Sequence, residues 1–170
     1  HMYGIELSVY LPLLAGFPVH SGRPLFPADI ARALAEVPRP RVLVSTPVHL
    51  RTLLDSGQVL PAIDLVVSAT APLDEALAQA LEARLGAPLL ELFGSTETCV
   101  IASRRTAAET EWTLLPEVTL SGTPDGTWVH APWFIEPKFL QDHVAPGPSG
   151  SFSLRGRNQD LVDVAGKRAS

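Results

Sequence analysis

A chain of 170 residues is one ordinary domain or two small subdomains sharing a core, and with 46% hydrophobic residues it can build that core without disulfide or metal staples. Charged residues make up 18%, below the roughly 25% of a typical soluble domain, which fits either a surface covered by more protein or a mildly apolar domain standing alone. A net charge of −5 with 13 Lys and Arg and no basic run argues against a nucleic-acid partner, and the single cysteine, Cys99, excludes a disulfide framework and fits a reducing, cytoplasmic setting.

In chain order, Tyr3–Leu14 reads as an apolar helix with Pro12 near its end. It carries Glu6 and lacks a basic flank, so it is not expected to be a signal peptide, and no apolar run reaches the ~18 residues of a membrane span. Phe17–His20 is predicted as a short strand and Pro27–Val37 as a helix with proline in its first turn. Arg41–Ser45 is a buried strand, and Pro47–Ser56 a helix capped by Thr46. Leu65–Ser68 is a second buried strand. Pro72–Leu85 is a helix with Asp74 and Glu75 in its first turn and Gly86 at its end, followed by a strand over Leu89–Phe93. This alternation predicts an α/β fold: a parallel sheet flanked by helices on both faces over residues 1–97. From about Thr98 short strand-like runs separated by GTPDG and APGPSG predict a small β-subdomain over residues 98–156.

Ligands of parallel sheets sit at the carboxyl ends of strands. Two segments, SATAP at 68–72 and FGSTET at 93–98, directly follow predicted strands. Gly94 allows close backbone approach, Ser95 and Thr96 offer hydroxyls and amides to a phosphate, and Glu97 offers a hard oxygen to Mg²⁺. Taken alone, the same string is also a plain loop with Ser95 or Thr96 as a cap. His20, His49, His130 and His143 have no metal-ligand spacing with one another or with Cys99. No Gly-x-Ser-x-Gly elbow supports a serine hydrolase, and no Gly-x-Gly-x-x-Gly supports a dinucleotide fold.

Taken together, SATAPL, FGSTET and GRNQDLVDVAGKR at 156–168 resemble the adenylate-forming (acyl-CoA synthetase) superfamily, whose phrases are typically "SGAAPL", "YGSTE" and a hinge similar to "GR-x-D-D-x-I-K-x-x-G-x-R". The resemblance implies that Ala69, Thr70, Ala71 and Pro72 lie on one face of adenine and Phe93 stacks on the other. It implies that Gly94 and Ser95 line the nucleotide, that Thr96 contacts the α-phosphate and that Glu97 binds Mg²⁺. Arg157 would contact the ribose and Arg168 approach the phosphates. Asp142, in FLQDHV, stands where the family places a ribose-binding aspartate, although the usual TG before it is absent; an exposed turn aspartate is the plain alternative. Gln159 and Asp163 depart from the hinge pattern, which leaves domain rotation in doubt. HMYG resembles the family's "H-x-Y-G", so His1, Tyr3 and Gly4 would line an acyl pocket.

The family implies ATP, Mg²⁺ and the thiol of CoA or of a carrier protein's phosphopantetheine as reactants, and a small-molecule carboxylic acid as substrate. HMYG, RPRVLVSTPVHLRTLL and DLVDVAGKRAS are further similar to bacterial AMP-ligases of aryl polyene and acyl carrier protein pathways, where the acid is aryl or fatty. On the same resemblance the chain corresponds to a central fragment of the large N-terminal domain, with residues 157–170 a hinge leading to an absent C-terminal domain. Such a fragment is expected to be inactive alone and to self-associate through an exposed apolar edge. The alternative is a non-catalytic nucleotide-binding or scaffold domain derived from the same fold.

Overall fold

The computed structural model describes residues 2–157, 162–164 and 167–169, and the side chains of residues 2–156. The chain divides into two compact units: His1–Phe93 with Arg104–Glu109, and Gly94–Ser103 with Thr110–Ser170.

The first unit opens with helical segments α1 (Met2–Ile5), a π-helical turn (Glu6–Tyr10) and α2 (Leu11–Ala15). Residues 16–25 that follow are irregular, so the expected strand over Phe17–His20 does not form. Pro18 removes a backbone donor from that run, and Phe17 and Val19 stay at least half exposed, which leaves neither a ladder nor a buried face to hold it. Helix α3 (Pro27–Glu36), strand β1 (Val42–Ser45), helix α4 (Pro47–Asp55), strand β2 (Leu65–Ser68), helix α5 (Glu75–Leu85) and strand β3 (Leu89–Ser95) then alternate. Thr46 caps α4 by accepting from the His49 amide. Gly86, at φ 63, closes α5 in the left-handed conformation that only glycine adopts at no cost. Helix α5 starts three residues later than the sequence suggests: Asp74 is its N-cap, accepting from the Leu77 amide at 3.0 Å, and Pro72 stays in the preceding turn.

β1, β2 and β3 are parallel, with Leu43 beside Val66 and Val66 beside Leu89. This row packs with Ile30 and Leu34 of α3, Leu50 and Leu53 of α4, and Leu77, Ala78 and Leu81 of α5 into one core. Fully burying such a side chain contributes roughly 1.5–3 kcal/mol, so this cluster carries much of the unit's stability. The three helices therefore share one face of the sheet rather than two. On the opposite face of β1, Val42 and Val44 are exposed, as are Leu13 and Leu14 of α2. No helix among the described residues is long and apolar enough to cross a membrane.

The second unit is antiparallel. β4 (Cys99–Arg104) pairs with β5 (Trp112–Leu114), β5 with β10 (Ser151–Arg157), and β10 with β9 (Asp142–Pro146). Trp112 and Phe152 are register partners whose stacked rings, 6.4 Å apart, are both buried. β6 (Thr119–Thr123), β7 (Gly126–His130) and β8 (Lys138–Leu140) form a second sheet in which Trp128 packs edge-on against its partner Phe139. The run KFLQDHV is broken at Gln141, so that β8 pairs with β7 while β9 pairs with β10. β11 (Val162–Val164) pairs antiparallel with β12 (Lys167–Ala169).

Candidate functional site

In the first unit, β2 ends at Ser68 and delivers the turn 69–72. Ala69 is 2% exposed and Leu73 is 4% exposed, whereas Thr70, Ala71 and Pro72 between them face solvent. Ala69 thus turns its side chain into the protein and leaves the three central residues as the presented surface. Thr70 has φ 85, a conformation in which a β-branched residue is a true outlier, and such strain persists only where the surroundings hold it. The far end of the turn is held by Glu91 of β3, whose Oε1 accepts the Leu73 amide at 2.8 Å. Its Oε2 accepts from Arg104 Nε at 2.8 Å and from Thr106 Oγ1 at 2.6 Å. Ser68, opposite Glu91 in the register, has a fully buried hydroxyl with no hydrogen-bond partner among the described residues. Phe93, half-buried, lies two residues beyond Glu91 and so on the same face of β3.

Glu82 of α5 makes a second clamp of the same kind. It accepts the Leu89 amide at 2.7 Å, and Arg105 pairs with it through two hydrogen bonds of 2.9 and 2.7 Å. The Arg105 guanidinium holds its carboxyl below the usual glutamate range, against the opposing pull of burial. Arg104, Arg105 and Thr106 are thereby docked onto β3 and α5.

In the second unit the loop 94–98 is locked by its own side chains. Thr98 Oγ1 accepts the Ser95 amide at 2.9 Å and donates to the Cys99 carbonyl at 2.9 Å. Ser95 Oγ accepts the amides of Glu97 and Thr98 at 3.2 and 3.3 Å. A Cβ at Gly94 would overlap the carbonyl oxygen of Cys99, so the glycine is required by the loop's own backbone as it folds back. Ser95 is spent on the loop's internal bonds, and the side chains turned to solvent are Thr96 and Glu97. The Ser95 hydroxyl, followed by Glu97's own amide, holds the Glu97 carboxyl below its ordinary value, so it is ionised at neutral pH. Among the described residues no group of three or more His, Cys, Asp and Glu is arranged to hold a metal by itself. An Mg²⁺ beside this loop would fit the one available pattern, a single ionised carboxylate completed by phosphate oxygens.

Two further residues meet in the same unit. Asp142 and Arg157 are cross-strand partners of β9 and β10, just past a register shift that follows Leu154. The Asp142 carbonyl is fixed by Thr127 Oγ1 at 2.7 Å. Arg168 lies on β12 opposite Asp163. Tyr3 is half-buried and Gly4 exposed on α1. His1, Gln159, Asp160 and Gly166 lie outside the described residues. Sequence patterns alone passed over Glu91 and Thr98. The signal for Glu91 was present: it is the one carboxylate in an otherwise apolar strand, on the parity of Leu89 and Phe93.

Solved structures with this fold include two that are named as CoA ligases, for benzoate and for anthranilate. Apo MatB from Rhodopseudomonas palustris superposes with a TM-score of 0.81 at 21% identity, covering 99% of this chain and 40% of its own. A benzoate CoA ligase from Burkholderia xenovorans LB400 gives 0.73 at 23%, covering 95% and 40%. At such identities these two speak for the fold alone. A 4-coumarate–CoA ligase of Rhodobacter capsulatus is 31% identical over 169 residues, 98% of this chain and 41% of the relative. Residues 1–157 match the AMP-binding enzyme family, and the chain belongs to it. It spans about two fifths of the length of the relatives it matches.

Proposed function

We propose that this chain carries the adenosine-binding part, and a portion of the acyl pocket, of an acid–thiol ligase that activates an aryl or fatty acid with ATP. A carboxylate oxygen of the acid attacks the α-phosphorus and pyrophosphate leaves. The thiol of CoA or of an acyl carrier protein then attacks the acyl carbon and AMP departs. The protein's share is positioning and charge neutralisation. Thr70, Ala71 and Pro72 offer a flat exposed surface to the base, with Ala69 supporting them from beneath, and Phe93 offers a ring to its other face. Asp142 accepts from the ribose hydroxyls with Arg157 opposite it, and Arg168 approaches the phosphates. Thr96, which faces solvent, contacts the α-phosphate, and Gly94 and Ser95 line the nucleotide as the folded-back frame of the loop. Bound Mg²⁺, held by Glu97, would neutralise charge on the phosphate oxygens. Tyr3 and Gly4, with His1, border the acyl group, and the 4-coumarate specificity named for the relative favours an aryl acid.

The observation that carries this reading is the pairing, within one unit of a family member, of an exposed strained turn after β2 with an aromatic residue on the neighbouring strand β3. Calorimetric titration of the chain with an acyl-sulfamoyl adenosine tests it. Binding is expected, and it should be lost when Glu97→Ala and Asp142→Ala are combined. Tight binding indifferent to both substitutions would overturn the site.

A further inference from the structure

A carboxylate that is 2% exposed on an apolar strand is costly unless it is paired and fully hydrogen-bonded. Glu91 meets that condition with three donors, but the three differ in kind. Arg104 neutralises its charge and Thr106 occupies a further lone pair, both on Oε2. These two already account for a tolerated buried carboxylate. The third donor is the backbone amide of Leu73, on Oε1, 18 residues away in sequence and at the closing end of the turn 69–72. The charge anchored by Arg104 is therefore used to grip a piece of main chain that has no strand ladder of its own.

The consequence lies in what else β3 carries. Glu91 and Phe93 are two residues apart on one face of one strand, about 7 Å along it. The turn is gripped by the first and would face the base together with the second. Ala69, buried at the near end, and Leu73, gripped at the far end, also explain how Thr70 is kept at φ 85. We propose that Glu91 is a positioning residue for the nucleotide base: it sets the spacing between the turn 69–72 and Phe93 through the Leu73 amide. This rests on the assignment of that turn and Phe93 to adenine. Glu91 itself touches no substrate.

The test separates positioning from mere stability by using three variants of the chain: Glu91→Ala, Glu91→Gln, and Thr106→Val as a control that removes a donor to Glu91 without touching the turn. Amide exchange at Leu73 reads the grip, and titrations with AMP and GMP read the base preference. In both Glu91 variants Leu73 is expected to exchange at least about tenfold faster, and the preference for AMP over GMP to fall about fivefold. Thr106→Val should lower the unfolding midpoint while leaving Leu73 exchange and base preference at wild-type values. Unchanged Leu73 exchange in Glu91→Ala would overturn the proposal, as would a released Leu73 with an unaltered base preference. A base preference that simply tracks the unfolding midpoint across all three variants would reduce Glu91 to a stabilising residue and would equally overturn it. If the wild-type chain bound neither nucleotide, the adenine assignment would fail and take the proposal with it; failure of the proposal alone requires wild-type preference to be present and unmoved by the variants.

Discussion

The turn at 69–72 follows β2, the loop at 94–98 closes the end of β3, and both expose two or three side chains, yet they are held by opposite means. The turn is gripped from outside, by a buried carboxylate on another strand and by the burial of Ala69 and Leu73. The loop grips itself, through Ser95, Thr98 and the approach of its own backbone at Gly94. A self-locked loop keeps its shape whatever surrounds it. An externally gripped turn keeps its shape only as long as the strand beside it does, and so it can be tuned from a distance.

The largest expected effect attacks the self-locked loop. Gly94→Ala would drive a Cβ into the Cys99 carbonyl, where only main-chain movement can make room. Urea unfolding should show a loss of about 3 kcal/mol, at the upper end of overpacking costs. If the two regions are held independently, amide protection should collapse at Ser95 and Thr98 while Leu73 stays protected. Equal loss at all three would show that the contrast between them is false.

Thr98→Val is milder and sharpens the same point. Valine keeps the volume but leaves the Ser95 amide and the Cys99 carbonyl each short of one partner. The expected cost is about 2 kcal/mol, the scale of unsatisfied groups in a buried setting. Fast exchange at Ser95 is its signature, and a Ser95 amide as protected as in the wild type would show that Thr98 does not lock the loop.

The same contrast explains what the sequence made legible. The loop's lock is local, and the string was readable as a side-chain-capped loop after a glycine, but with Ser95 or Thr96 as the cap and not Thr98, which makes the lock. The strands at 42–45 and 65–68 and the stop at Gly86 were likewise readable, because apolar runs and a helix-ending glycine act at short range. The start of α5 was misread because Pro72 mimics a first-turn proline, while Asp74 two residues later does the capping. Phe17–His20 was misread because an apolar run predicts a strand only if some other segment pairs with it. The grip on Leu73 was invisible for a comparable reason: its two partners are 18 residues apart, and nothing in SATAPL announces a carboxylate in the next strand. The meeting of Asp142 with Arg157 depends on a register shift that no pattern of residue types encodes.

The smallest effect is expected to have the opposite sign, and it probes the turn at its near end. Ser68 is wholly buried between two apolar neighbours, Val67 and Ala69, and its hydroxyl has no partner among the described residues. Glu91 sits opposite it in the register, with its oxygens already engaged by Leu73, Arg104 and Thr106. A hydroxyl buried without a partner is destabilising, and an alanine there removes the polar group while leaving a void no larger than one oxygen. Ser68→Ala should therefore raise stability by about 1 kcal/mol in urea unfolding, with Leu73 protection unchanged, because the grip on the turn does not pass through Ser68. A loss of stability would mean that the hydroxyl is satisfied by a buried water, adding a side-chain contact at the near end of the turn to the hydrogen bond that the Ala69 amide gives the Ser45 carbonyl at 3.4 Å. Both ends of the turn would then rest on side-chain as well as main-chain polar groups, and its difference from the self-locked loop would lie only in how far away the partners are.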